Sequence, residues 1–132
     1  MMENRNLMRP KTSRGTLGPV QWFFQVISGA FLVFFVGVHL YIAHINFGHP
    51  IAFYDSVLNN MHNPWWLAFY IAFDWIVTYH ALNGVKGMIY DTGIKPSTGR
   101  VVAYGLIALY IVSIIYGTAL AIVVSHIAVP PP

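Results

Sequence analysis

WWLAFYIAFDWIVTYHALNGVKGMI, residues 65–89, is a run of 25 residues with one acid, one histidine and one lysine: Asp74, His80 and Lys86. As a helix it would be about 38 Å long, more than the ~30 Å of a bilayer's hydrocarbon core. Two further apolar runs, from Val20 to about Ile45 and from Val101 to about Val124, are long enough for the same task. The pattern predicts an all-α integral membrane protein with three transmembrane helices.

Composition supports this reading. Hydrophobic residues make up 57% of the 132-residue chain and charged residues 8%, about a third of the ~25% usual in soluble domains. With no cysteine, the chain cannot supply disulfides, thiolate metal sites, cysteine-held iron–sulfur clusters or thiol catalysis. The run beginning at Val20 exceeds the 7–15 residues of a signal-peptide core, so it reads as a retained span.

Three regions are expected: a basic segment 1–19, a three-helix region 20–128 with spans at about 20–45, 65–89 and 101–124, and an outer tail 129–132. The connector NFGHPIAFYDSVLNNMHNP has room for a short interfacial helix from Ile51 to Leu58, and the Gly and Pro of DTGIKPSTGR stop one span and start another. Seven cations give a net charge of +3, too few and too localised for a nucleic-acid face. Arg5, Arg9, Lys11 and Arg14 precede the first span, while Lys86, Lys95 and Arg100 surround the second connector. The positive-inside rule therefore puts the N-terminus and that connector on the cytoplasmic side of an inner membrane, and the C-terminus outside.

Six histidines occur. His44, His49, His62 and His126 fall at the outer rim, where polar-tipped rings are comfortable. His39 and His80 fall inside the predicted hydrocarbon region, where an imidazole needs a partner. Two readings compete: a hydrogen bond to a neighbouring helix, or ligation of a haem iron.

Helical phase bears on that choice. Phe69, Phe73, His80, Gly84, Gly87 and Asp91 follow at steps of four, seven, four, three and four, forming one stripe. Such a stripe suits a flat ligand, with Gly84 and Gly87 admitting a macrocycle and Phe73 packing on its edge; close helix packing uses glycines equally well. On the first span Ser28 shares a face with His39, and Gly29 and Gly37 thin the neighbouring surface. At 1.5 Å per residue His39 sits about 26 Å above the inner end of its helix and His80 about 13 Å above that of the next. If both are ligands they serve two haems, each completed by another chain. Asp74, a buried carboxyl near mid-membrane, is expected to be protonated or hydrogen-bonded, with Tyr116 or His39 within reach.

The segment HALNGVKGMIYDTGIKP, a His-Ala pair with Gly four residues after the His, Asp eleven after it and Lys-Pro beyond, resembles the small haem-binding membrane-anchor subunit of succinate dehydrogenase. So does SGAFLVFFVGVHLYIAH, and together the resemblance covers about Phe24 to Arg100. It implies half of a heteromeric helix bundle, paired with a second membrane anchor and docked to an iron–sulfur subunit and a flavoprotein subunit that carries the succinate chemistry. It implies haem b, with His80 as axial ligand of an inner haem and a histidine of the partner anchor opposite. His39 resembles the first-span histidine of two-haem members, which implies a second haem and points to menaquinone as the quinone. Asp91 matches the acidic residue beside the quinone pocket, Tyr90 precedes it, and Ser28 lies where the other anchor type has a quinone-contacting serine. The chain departs from many ubiquinone-reducing relatives in having Thr92, not Tyr, directly after Asp91.

Other classes remain open at this stage: a haem-free anchor or assembly protein, and a cytochrome b subunit of another quinone-linked oxidoreductase. A transporter fits less well, because Asp74 is the sole charged residue expected at mid-depth and no broken helix interrupts the spans.

Overall fold

The computed structural model describes residues 18–45 and 54–128. Arg5, Arg9, Lys11, Arg14, His49 and the tail 129–132 lie outside the described residues, as do the first three positions of the expected interfacial helix. The described chain is all-helical: α1 (Pro19–Leu40), continued by a π-helical turn (Tyr41–Ile45), then α2 (Tyr54–His62), α3 (Pro64–Asp91) and α4 (Pro96–Ser125). The short helix runs on to His62, four residues past the expected Leu58, because helical hydrogen bonding continues until Asn63 turns the chain into α3.

Local chemistry sets these ends. Each long helix begins with proline, whose missing N–H is one that the first turn leaves unpaired anyway. Asn63 caps α3 through its side-chain oxygen, which accepts from the Trp65 N–H at 3.0 Å. The tight corner between α3 and α4 passes through Gly93 at φ 75°, a left-handed conformation that glycine adopts without strain. Tyr90 then fastens that corner: its hydroxyl donates to the Gly99 carbonyl at 2.7 Å.

Among the described residues two helices are long and apolar enough to cross a membrane: α1 with its π turn, and α4. At 28 residues α3 has the length, about 42 Å, but Tyr70, Asp74, Thr78, Tyr79, His80, Asn83 and Lys86 dilute its apolarity.

α3 is the middle of the assembly, packing against α1 on one side and α4 on the other, while α2 closes one end against α3 and α4. Leu58 of α2 is fully buried there. Between α3 and α4, the Trp75 indole N–H donates to the Thr118 hydroxyl at 2.9 Å. One turn of contact away, the Asp74 carboxyl lies directly on Gly117, where any Cβ would overlap it. The outward faces of α1 and α4 are covered with large apolar side chains that nothing among the described residues buries, such as Val33 at 78% exposure and Val112 at 64%.

Replacing Gly117 with Leu should push the Asp74 carboxyl out of its seat and part α3 from α4. The expected cost is about 1–3 kcal/mol, read as a lower thermal-unfolding midpoint of the purified protein. An unchanged midpoint would contradict this packing.

Candidate functional site

His80 lies in the seam between α1 and α3, and every polar group around it can be assigned. The Ser28 hydroxyl has one proton, which goes to the Gln25 carbonyl at 3.0 Å in the helix's own preceding turn. Ser28 Oγ, also 3.0 Å from His80 Nδ1, must therefore accept there. With the hydroxyl proton on Gln25, the neutral imidazole is the Nδ1–H tautomer and its Nε2 lone pair faces the Gln25 amide. The Gln25 side-chain amide meets that lone pair with a long contact, Nε2 to Nε2 of 3.4 Å, and also donates to the His80 carbonyl at 3.2 Å.

The network continues toward the α3–α4 corner. The Asn83 amide donates to Gln25 Oε1 at 2.8 Å and to the Gln21 carbonyl at 3.3 Å, using both of its protons. Ser28 and Asn83 are buried polar residues. Small residues make the approach possible. A methyl group on Gly29 would stand 3.2 Å from His80 Cε1, and one on Gly84 would stand 3.2 Å from the Gln25 amide nitrogen.

The stripe of Phe69, Phe73, His80 and Gly84 is thus the face that α3 turns to α1. Phe69 and Phe73 stack on Phe35, with ring centroids 4.9 and 5.9 Å away. Of the two readings of this stripe, the described residues show close helix packing: Gly84 admits the Gln25 amide, and Phe73 packs on Phe35 and against His39. Gly87, one turn beyond Gly84, is half-buried.

His39 meets the same seam at a different level. Its ring touches Tyr70, Phe73 and His44, with centroids 5.8, 5.9 and 6.5 Å away. Eleven residues separate it from Ser28, about 16 Å along α1, so the two histidines do not converge on one atom. Its Nδ1 is buried with no hydrogen-bond partner among the described residues. Asp74 Oδ2 is likewise buried and unpartnered, which corrects the expected hydrogen bond to Tyr116 or His39. The carboxyl points instead onto Gly117 of α4, and Tyr116 is 69% exposed.

The residues expected beside a quinone are not gathered in one place. Ser28 is taken up by His80, Tyr90 by Gly99, and Asp91 is exposed at the end of α3. Lys86 holds its ammonium 5.5 Å from the Tyr90 ring centroid and also lines a cleft of about 240 Å³ with Gln21, Tyr79, Asn83 and Tyr110. Reading the sequence missed Gln21, Gln25 and Asn83. Their signal was present: Gln25 precedes Ser28 by three residues and Asn83 follows His80 by three, so each shares a face with its neighbour.

Long apolar helices with unburied outer faces, joined along a seam of buried polar groups, define a membrane-anchoring helical subunit. Comparison with known proteins agrees. Residues 1–127 match the family described as the succinate dehydrogenase/fumarate reductase transmembrane subunit, and the chain belongs to that family. It is 48% identical over 120 residues to a succinate dehydrogenase hydrophobic membrane anchor subunit of Thermoplasma acidophilum, covering 91% of this chain and 98% of that one. A protein of the same description from Archaeoglobus fulgidus is 27% identical over 86 residues, 65% of this chain and 73% of the other. The chain is therefore a membrane-anchor component of an oxidoreductase and not its catalytic part.

Interhelical hydrogen bonds in membranes contribute about 0.6 kcal/mol on average and up to about 1.7. A double-mutant cycle with Gln25→Leu and Asn83→Leu should give a coupling of about 0.5–1.5 kcal/mol in unfolding measurements. Strict additivity would mean that the two amides do not pair.

Proposed function

We propose that this chain crosses the membrane three times, through α1, α3 and α4, and serves as a haem b-binding anchor that carries electrons between an iron–sulfur subunit, haem and membrane quinone. Its N-terminus and the α3–α4 corner face the cytoplasm. Lys86, Lys95 and Arg100 at that corner support this orientation, together with the four cations before α1. The partners are a second membrane anchor, the iron–sulfur and flavoprotein subunits, and lipid against the outer faces of α1 and α4.

The observation that carries the haem reading is a pair of imidazoles in the α1–α3 seam; His80 meets Ser28 at Nδ1, and its Nε2 would take an iron only where the Gln25 amide moves off it. His39 adds an unpartnered buried nitrogen about 16 Å further along α1, consistent with a separate second haem. Haem b, when bound, supplies reversible one-electron transfer at its iron. What this chain would contribute is orientation: His80 and His39 sit on rigid helices at two levels, where each would offer a ring nitrogen to a haem shared with the partner anchor.

Quinone, in this reading menaquinone, binds toward the α3–α4 corner, where reduction needs proton donors beside an apolar cleft. Lys86 supplies a donor in the cleft, and Asp91 supplies a carboxylate at the rim. Tyr90 would have to release Gly99 before its hydroxyl took part.

A haem-free anchor is the second reading, and one observation favours it: the Gln25 amide already stands at His80 Nε2, so both ring nitrogens have contacts inside the chain. Haem content decides between them. Pyridine haemochrome of the purified complex, normalised to flavin, should give about two haems per flavin. His80→Ala should remove one and His39→Ala the other; unchanged haem in both variants would refute the ligand assignment. Asp91→Asn should lower quinone reduction by about tenfold or more with haem content kept. Full activity in that variant would remove Asp91 from the quinone site.

A further inference from the structure

Among the described residues α1 and α4 do not meet, because α3 stands between them. The gap leaves a groove along α3 that contains two cavities. Toward the α3–α4 corner is the cleft of about 240 Å³ beside Lys86, Gln21 and Asn83. Farther along is a cavity of about 320 Å³, walled by Phe24, Ile27 and Phe31 of α1 and by Trp75 and Ile76 of α3. Tyr79 and Tyr110 line both, so the two cavities adjoin at that pair of rings. Eleven residues separate Lys86 from Trp75, about 16 Å of helix. We propose that this groove is the path of the quinone's isoprenoid tail, with the ring beside Lys86 and the tail running past Tyr79 and Tyr110 toward Trp75. The tail path rests on the reading of the cleft as the place of the quinone ring.

The two ends of the groove differ as an amphiphile requires. Lys86 brings an ammonium to the cleft, and a ring carbonyl can accept from it. In the second cavity the polar groups are already engaged: the Trp75 N–H donates to Thr118, and the Ser28 hydroxyl donates to the Gln25 carbonyl and faces His80. What is left there is apolar wall, which suits a hydrocarbon chain. Phe24 and Phe31 are 52% and 53% exposed on that wall, so a tail laid against them removes apolar surface from contact with other solvent. A phospholipid matches the groove less well. Lys95 and Arg100, the cations suited to a phosphate, line a different cavity at the corner with Tyr90 and Gly99. A single ammonium in the groove fits a neutral carbonyl better.

The test uses the whole complex. A menaquinone analogue whose two-isoprene tail ends in a diazirine, photolysed in the native complex, should label α1 between Phe24 and Phe31 or α3 at Trp75 and Ile76. Excess menaquinone should suppress that label. Label confined to other segments or to other subunits would overturn the tail path, whether lipid or a partner helix then fills the groove. Kinetics give an independent readout: KM for menaquinol with a two-isoprene tail and for tail-less menadiol, with fumarate as acceptor. Ile27→Trp, which fills the groove, should raise KM for the tailed quinol about tenfold relative to that for menadiol. An unchanged ratio would overturn the proposal, and so would loss of the second anchor from that variant with no label in the groove of the native complex. Lys86→Met should raise both KM values. If it does so while the Ile27→Trp ratio stays native and the label lies elsewhere, the tail path falls and the ring site stands. Native KM values for both quinols in Lys86→Met would overturn the ring site, and the tail path with it.

Discussion

An imidazole inside an apolar helix pair has to find its partners within that pair, and most of this structure follows from how His80 does so. A polar group left without a partner in an apolar seam costs about 2–7 kcal/mol. Ser28, Gln25 and Asn83 therefore come with the histidine, and their positions fix the register between α1 and α3. A slide of one turn would leave several donors and acceptors unmatched at once. Phe35 stacked on Phe69 and Phe73 supplies apolar contact further along the same seam.

The α3–α4 contact is built differently. It relies on a glycine under a carboxyl and on one indole-to-hydroxyl bond, and it leaves Asp74 Oδ2 without a partner. His39 Nδ1 is the other unpartnered buried atom found among the described residues. The chain thus has one closed polar network and two open positions. The unburied faces of α1 and α4 match this incompleteness, since an anchor subunit must leave apolar surface for lipid and for its partner subunits.

Much was legible in the sequence because it depends on one-dimensional properties. Run length and composition gave the three long helices, Pro19, Pro64 and Pro96 mark their starts, and Gly93 marks the corner. The motif around His80 was sufficient for the family, and counting residues along the helices anticipated that His39 and His80 lie at different levels. Periodicity also found the stripe on α3, because a helix face is a property of spacing alone.

What covers that face is not a property of spacing. A ligand edge and a neighbouring helix make the same demands for small and aromatic residues, so Gly84 and Phe73 were readable either way until α1 was seen against them. Asp74 was expected to reach Tyr116 or His39 because depth counting ranks levels but not azimuths, and the carboxyl lies on Gly117. The roles of Gln25 and Asn83 depend on which helix sits opposite, and the tautomer of His80 depends on a hydroxyl 52 positions away in the chain. The sequence by itself determined the long helices and the family; the tertiary structure alone decided the partners of each polar group, because hydrogen bonds between helices depend on relative rotation and register, which no single helix contains.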